Sequence, residues 1–158
     1  MSSKYSIDLI RQMAECDANY IRLLKLVPRL HRCRHSSNLQ GTLAEFRVGE
    51  RHTQPATVAI TVLESYRYTT TLEIAQQPGE GEWVRNPVMQ VRVYHDAHTA
   101  EVVSFQEQRN FQPNYPQPNP QMFQRDEKVQ VNRFLGEWLS YCLETGRCLS
   151  TPGSVLRA

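Results

Sequence analysis

The chain has 158 residues, of which 40% are hydrophobic and 22% are charged, and its net charge at pH 7 is +2. These values are typical of one globular domain over residues 1–158, and they exclude collagen-like, disordered and membrane-spanning classes. A charge so close to neutral argues against nucleic acid as a partner of the whole molecule. Four cysteines are few for this length, and the first residues lack the layout of a secretory signal. We therefore expect a cytoplasmic protein with free thiols and no membrane insertion.

The first predicted element is a helix over residues 6–28. Its apolar residues recur at helical spacing and form one stripe, made of Ile10, Met13, Tyr20, Leu24 and Val27. Ser6 is a suitable N-cap, and Pro28 disfavours helical geometry at the residue before it. The stripe is expected to pack on the core.

A basic connection follows the helix. Residues 22–44 contain five Lys or Arg residues, two histidines and no carboxylate. His31, Cys33 and His35 alternate there, as soft-metal ligands could, but Arg32 and Arg34 oppose a cation and no second ligand pair accompanies them. No metal site is predicted.

An antiparallel sheet is predicted over residues 42–106. Apolar and polar residues alternate there in about five segments, which is typical of half-buried strands. Short connections, such as the one at residues 95–98, imply antiparallel neighbours. The expected apolar side includes Val58, Ile60, Leu72 and Val91.

The C-terminal part begins with a proline-rich loop over residues 107–123 and continues as a helix over 124–146 and a tail over 147–158. Phe134, Trp138 and Cys142 belong to the apolar stripe of this helix, and Gly146 suits the left-handed position after its end. Cys148 is expected to be a loop thiol. The sequence predicts an α+β fold, with both helices packed on one face of the meander.

The opposite face of the sheet is the candidate binding surface. Strand parity assigns six polar residues to it: Thr61, Arg67, Thr69, Thr71, Arg92 and Tyr94. Arginine offers forked donors that match carboxylate or phosphate, which favours an acidic protein partner or a small anionic ligand. Tyr68 has core-side parity and is included as an edge residue. The alternative is an ordinary solvated face, on which Arg67 and Arg92 pair with Glu73 or Glu101.

The candidates for chemistry are isolated residues. His95 and Asp96 lie in a tight connection, where catalytic groups are often held, but both are also common turn residues, and neighbours on an extended backbone point apart. Arg125 and Lys128 lie three residues apart on one helical face and could hold a phosphate, although a solvated first turn explains them as well. No phosphate-binding loop, dinucleotide fingerprint or nucleophile elbow is present, so no cofactor is predicted.

Four segments of the chain resemble the YqiB family of bacterial proteins. They begin at Cys16-Asp-Ala-Asn-Tyr20, Glu64-Ser-Tyr-Arg-Tyr68, Val91-Arg-Val-Tyr-His-Asp96 and Gln124-Arg-Asp-Glu-Lys128, the last continuing through Asn132 to Leu143. The resemblance spans residues 16–146. It implies a domain of unknown function, with no catalytic residue to carry over. Family members tend to be encoded near nucleotide-hydrolysing enzymes, which is an association and not a mechanism.

Two functional hypotheses follow. The first is a non-enzymatic interaction or regulatory module that uses the polar face of the sheet, with Arg67, Tyr68, Arg92 and Tyr94, and the corner at His95. The alternative is an enzyme or sensor for a small phosphorylated ligand such as a nucleotide. In that case Arg67, Arg92, Arg125 and Lys128 neutralise phosphate, and His95 or Asp96 handles protons.

Overall fold

The computed structural model describes residues 2–33, 40–49, 56–77, 85–109 and 125–148. These residues form two α-helices, a 3₁₀ helix at Pro28–Cys33 and six strands. The helices are α1 (Ser2–Leu26) and α2 (Arg125–Thr145). The strands are β1 (Gly41–Val48), β2 (Ala56–Ser65), β3 (Thr69–Gln77), β4 (Arg85–Tyr94), β5 (Thr99–Arg109) and β6 (Arg147–Cys148).

The sheet is antiparallel throughout, in the order β5-β4-β3-β2-β1-β6. Five consecutive strands lie beside their neighbours in sequence, which confirms the predicted meander and the α+β class. The two-residue β6 pairs with Phe46 and Arg47 at the outer edge of β1. Cys148 therefore lies in a strand and not in the loop that we expected.

The core lies on one face of the sheet, beneath both helices. Val58, Ile60, Leu72 and Val91 are buried on this face, as strand alternation predicted, and they share one apolar cluster with α1 and α2 residues such as Leu23. Each fully buried aliphatic side chain of this kind contributes roughly 1.5 to 3 kcal/mol to folding. None of the helices in the described part of the chain is long and apolar enough to cross a membrane.

Helix α1 begins earlier than predicted and leaves part of its apolar stripe in solvent. It starts at Ser2, so Ser6 is not its N-cap. Ile10 is 65% exposed and Met13 is 59% exposed, which contradicts their expected place in the core. Cys16 is the first buried residue among the described side chains of α1, so the part of the helix before it does not pack on the core.

Helix α2 buries Leu135, Trp138, Leu139 and Cys142, which confirms most of its predicted stripe. Phe134 is 36% exposed, because its ring lies at the rim, edge-on to Phe105 at 5.8 Å between ring centroids.

Gly146 is not left-handed, contrary to our expectation, because positive φ angles among the described glycines occur only at Gly41 and Gly49. Its N–H donates to the Cys142 carbonyl at 2.7 Å, and that oxygen leaves no room for a Cβ. The close approach, rather than the backbone angle, explains the glycine.

A polar contact joins the two helices where they cross. Asn19, fully buried on α1, donates through Nδ2 to the Asn132 carbonyl of α2 at 2.9 Å. Arg22 Nη1 donates to Asn19 Oδ1 at 2.8 Å and forms an ion pair with Glu15 Oε1 at 3.1 Å. These side chains lie over Gly136 on α2, where a Cβ would collide with them. The missing side chain allows the helices to approach.

The side chain of Asn132 connects α2 to the edge strand β5. Its Oδ1 accepts the N–H of Val102 at 2.9 Å, and its Nδ2 donates to the Lys128 carbonyl at 2.8 Å. Val102 lies beside an irregularity of the ladder between Gln90 and Val91 of β4. Because an edge N–H at a bulge has no strand partner, an asparagine supplied by a helix is a direct way to satisfy it.

Two predicted connections are described only in part. Residues 29–33 continue the 3₁₀ helix, and His31 is exposed there, whereas 34–39, including His35, lie outside the described residues. Strand β5 takes up 107–109 of the predicted proline-rich loop, and the rest of that loop, together with the tail from 149, lies outside the described residues as well.

Candidate functional site

The face of the sheet that points away from both helices, here called the back face, carries most of the polar residues predicted from parity. The register places Arg92 between Thr71 of β3 and Glu101 of β5, and places Tyr94 beside Thr69. Alternation with the buried Val91 and Val93 directs Arg92 and Tyr94 away from the core.

Glu101 at the edge of the back face already has partners. Its Oε1 accepts a hydrogen bond from the Tyr94 hydroxyl at 3.0 Å, and its Oε2 forms an ion pair with Lys128 Nζ at 3.1 Å. Both charged side chains of that pair are about one third exposed, so the pair itself contributes about 1 kcal/mol at most. The expected pairing of Glu101 with Arg92 is therefore replaced by a contact to α2.

Arg92 keeps its donors available. Within the described residues its guanidinium makes no hydrogen bond and no ion pair, although it is half-buried between Thr71 and Glu101. The hydroxyl of Thr71 donates to Glu64 Oε1 at 3.4 Å. Arg92 is thus a partly desolvated cation, fixed on a strand and flanked by carboxylates.

Arg67 lies outside the strands, so strand parity does not assign it to a face of the sheet. The chain bends at Arg67 and Tyr68 between β2 and β3, so neither residue follows the alternation of β3. The Tyr66 N–H donates to the Thr69 carbonyl at 2.7 Å and closes the turn. Tyr66 is 57% exposed and Tyr68 is 48% exposed, with the Arg67 guanidinium 5.3 Å from the centre of the Tyr68 ring. The turn therefore presents two tyrosines with an arginine between them.

His95 is buried, with only 1% of its surface exposed. Its Nε2 lies 2.7 Å from the Thr70 hydroxyl, and its backbone N–H donates to the Tyr68 carbonyl at 2.9 Å. The geometry thus gives His95 a structural role, because it connects the β4–β5 turn to the turn that carries Arg67. Its predicted neighbour Asp96 is exposed, so the two side chains point apart as expected.

The proposed phosphate clamp on α2 is not assembled by the described residues. The side chain of Arg125 lies outside them, and Lys128 is held by Glu101. By contrast, the guanidinium of Arg92 makes no hydrogen bond and no ion pair within the described residues. Arg92 is therefore a cation that a carboxylate or phosphate group can still engage.

Two buried thiols were predicted only in part. Burial raises the pKa of the Cys142 thiol to about 12. The pKa of the Cys16 thiol is raised to about 11, mainly by burial and to a smaller extent by the nearby Glu101 carboxylate. A thiol with so high a pKa is protonated near neutral pH and is a poor nucleophile. Across the described segments, no three His, Cys, Asp or Glu side chains gather as metal ligands would.

Sequence reasoning missed Tyr66 and Glu64 as members of this region. The Tyr66 hydroxyl donates to Glu64 Oε2 at 3.2 Å, next to the Thr71 contact. The available signal was the break in alternation at residues 65–68, where no aliphatic residue continues the pattern of either strand.

Comparison with known proteins places the chain in a family. The sequence profile of a family described as protein of unknown function (DUF1249) matches residues 22–148. The chain belongs to this family. It is also 37% identical over 143 residues, 90% of this chain and 94% of the relative, to the uncharacterized protein YqiB of Escherichia coli strain K12. The YqiB proteins of strains O6:H1 and O157:H7 show the same identity and coverage. No solved structure matches the chain.

The DUF1249 match covers the predicted site residues and omits most of α1. Residues 64–71, 92–101 and 125–128 all lie within 22–148, whereas the exposed Ile10 and Met13 do not. The family resemblance expected from the sequence is confirmed, and the descriptions of the relatives assign no activity.

Proposed function

We propose that the chain is a cytoplasmic, non-enzymatic interaction module that binds an acidic segment of a protein partner. The binding surface is called here the tyrosine–arginine surface, and it consists of Tyr66, Arg67, Tyr68, Arg92 and Tyr94. The observation that carries the proposal is the β2–β3 turn, on which Tyr66 and Tyr68 are each about half exposed on either side of Arg67.

The composition of this surface supports a protein partner. Tyrosine and arginine are enriched among the residues that dominate binding energy at protein interfaces, because they offer large contact areas together with hydrogen bonds. The Arg67 guanidinium already lies against the Tyr68 ring at 5.3 Å. This contact reduces the conformational freedom that the arginine would lose on binding.

Hydrogen bonds beneath the β2–β3 turn hold it in place and favour a surface that is formed before the partner binds. The Tyr68 carbonyl is held by the His95 N–H, and His95 is itself buried against Thr70. Arg92, with donors that the described residues do not use, adds a second cation on an adjacent strand. A carboxylate of the partner could accept two parallel hydrogen bonds from it.

A comparative capture experiment tests the proposal. Tagged wild type, the Arg67→Ala, Arg92→Ala double variant and a matched Arg11→Ala, Arg133→Ala control are incubated with cell lysate, and the bound proteins are quantified by mass spectrometry. Arg11 and Arg133 are exposed on the helices, away from the proposed surface. We expect partners bound by wild type to be retained by the control and lost by the first variant. Identical partner sets for both variants would reject the surface.

The alternative, a small phosphorylated ligand, has less support. Lys128 is engaged by Glu101, and His95 is buried beneath the turn. A thermal-shift screen of nucleotides discriminates between the two functions, because a ligand at 100 times its dissociation constant stabilises the folded state by about 2.7 kcal/mol. We expect no shift. A shift that disappears in the Arg67→Ala, Arg92→Ala variant would favour the alternative.

A further inference from the structure

The end of the back face far from the tyrosine–arginine surface holds a depression of about 360 Å³, which we call the amide groove. Its centre is a grid of two cross-strand rows over β3, β4 and β5: Glu73, Gln90 and Ser104 in one row and Ala75, Val88 and Gln106 in the next. Gln76 and Gln77 border it at the end of β3. The volume is at the lower end of the range for small-molecule sites, roughly 300 to 1,000 Å³.

A bulge in β5 borders the groove. Gln90 pairs with Ser104 while Val91 pairs with Val102, so Val103 is an extra residue in β5. Such bulges increase the local twist and often redirect side chains next to functional sites. Asn132 holds this bulge in place by accepting the Val102 N–H.

The polar side chains of the groove make no hydrogen bonds to other described residues, unlike the carboxylates and Tyr94 at the opposite end of the back face. At the end that carries the tyrosine–arginine surface, Glu101, Glu64 and Tyr94 form hydrogen bonds or ion pairs with other side chains. Among the described residues, by contrast, the amides of Gln90 and Gln106 have no hydrogen-bond partner. The same is true of the other polar side chains that line the groove: Glu73, Gln76, Gln77 and Ser104.

The chemistry of these groups restricts the ligand. Each primary amide donates two hydrogen bonds and accepts through its oxygen, the serine hydroxyl does both, and the carboxylate of Glu73 accepts. None of the described residues that line the groove is a cation, which disfavours phosphorylated and carboxylated ligands. Ala75 and Val88 provide a small apolar floor between the polar side chains.

From this combination, we propose that the amide groove binds a neutral polyhydroxylated ligand, one or two sugar rings in size. Vicinal hydroxyl groups both donate and accept and so match the amides of Gln90 and Gln106, while the C–H face of a sugar ring rests on Val88. The groove spans three strands, roughly 10 Å at about 4.8 Å per strand spacing, which suits a ring and not a long chain. The site is independent of the proposed protein partner.

Ligand-observed NMR with a set of matched sugars tests the site. Saturation transfer is measured for glucose, maltose, glucosamine and glucose 6-phosphate at about millimolar concentration, the affinity range expected for a few hydrogen bonds at an open site. We expect transfer to glucose and maltose, transfer at least as strong to glucosamine because of Glu73, and the weakest transfer to glucose 6-phosphate. N-acetylglycine amide, which has amides and no hydroxyl groups, is expected to show none.

Variants locate the binding. The Gln90→Ala, Gln106→Ala pair is expected to weaken glucose binding at least about tenfold, because about 1 kcal/mol is lost with each hydrogen-bonding side chain. Gln90→Glu, which keeps the size of the side chain and adds a charge beside Glu73, is expected to weaken it as well. The Arg67→Ala, Arg92→Ala variant should bind like wild type, which separates this site from the tyrosine–arginine surface.

Three results would overturn the proposal. They are no transfer to any neutral sugar, equal transfer in the folded Gln90→Ala, Gln106→Ala variant, and transfer to N-acetylglycine amide or glucose 6-phosphate that equals or exceeds transfer to glucose.

Discussion

Asn132 is the residue through which hydrogen bonds connect α2 to both α1 and β5. It satisfies a backbone N–H of β5, donates within α2, and offers its own carbonyl to Asn19 of α1. Its side chain is almost completely buried, so water cannot replace these bonds. An unsatisfied buried donor costs about 1 to 3 kcal/mol.

We therefore expect Asn132→Ala to lower the free energy of unfolding by about 2 kcal/mol or more in urea denaturation. The adjacent exposed residue supplies the control, since Arg133→Ala should change it by no more than about 0.5 kcal/mol. Equal effects at the two positions would mean that the Val102 N–H is satisfied in another way.

The buried thiols allow a test at the same scale. Because Cys16 and Cys142 have a raised pKa in the folded protein, their thiols should resist a disulfide reagent at pH 8 in a Cys33→Ser, Cys148→Ser background and react once the chain is unfolded. Rapid labelling of native protein would contradict their burial.

The raised pKa values of the two thiols also predict how the free energy of unfolding changes with pH. Both folded pKa values, about 11 and about 12, lie above the ordinary thiol pKa of 9.0, so the unfolded chain loses its thiol protons at a lower pH than the folded chain. The contribution of the thiols to stability is complete below pH 9, and it falls as the pH rises from 9 toward 12.

At the scale of elements, the crossing of α1 and α2 depends on a residue without a side chain. A Cβ at Gly136 would lie 2.8 Å from Arg22 Nη1 and 3.0 Å from Asn19 Oδ1, and closer still to Glu15 Oε1. The Glu15 and Arg22 atoms are the ends of flexible side chains, whereas Asn19 is fixed by its bond to Asn132.

A graded series of substitutions at Gly136 should reveal this. For Gly136→Ala, a gain of about 1 kcal/mol in helix propensity offsets the displaced ion pair, so we expect a change within about 1 kcal/mol. Gly136→Leu should destabilise by about 1 to 3 kcal/mol, because the helices must separate. Thermal unfolding followed by circular dichroism measures both, and a stable Gly136→Leu variant would refute the close crossing.

The buried side of each strand could be predicted from the sequence wherever apolar and polar residues alternate along that strand. Ile60, Leu72 and Val91 are buried as alternation required. The sequence alone did not reveal the extra residues at Leu43, Leu63 and Val103, since a bulge is set by the register with the neighbouring strand. The bend at Arg67 belongs to the same class of feature, because it takes Arg67 out of the strand alternation from which its face was predicted.

The helices show a different limit. Helical spacing identified the stripes of α1 and α2, but it carries no information on where the sheet beneath them ends. Ile10 and Met13 therefore satisfied the pattern and are nevertheless exposed. His95 is the converse case, since a polar residue in a turn is buried because Thr70 of another strand provides its partner.

At the scale of the whole molecule, the sheet has one face packed against helices and one that the described elements leave open. The back face divides into the tyrosine–arginine surface at one end and the amide groove at the other, and both proposals require access to this face. Of the predicted site, Arg92 and Tyr94 lie on the back face and Arg67 and Tyr68 on the adjoining turn, while Lys128 contacts its edge.

Cysteine labelling of adjacent strand residues tests this arrangement most directly. In a background without native cysteines, Thr61→Cys and Gln90→Cys are compared with Ile60→Cys and Val91→Cys under native conditions with a maleimide reagent. We expect the first two cysteines to react at least about tenfold faster, because the other two react only when the structure opens. Equal protection at all four positions would contradict it, since the back face would then be covered.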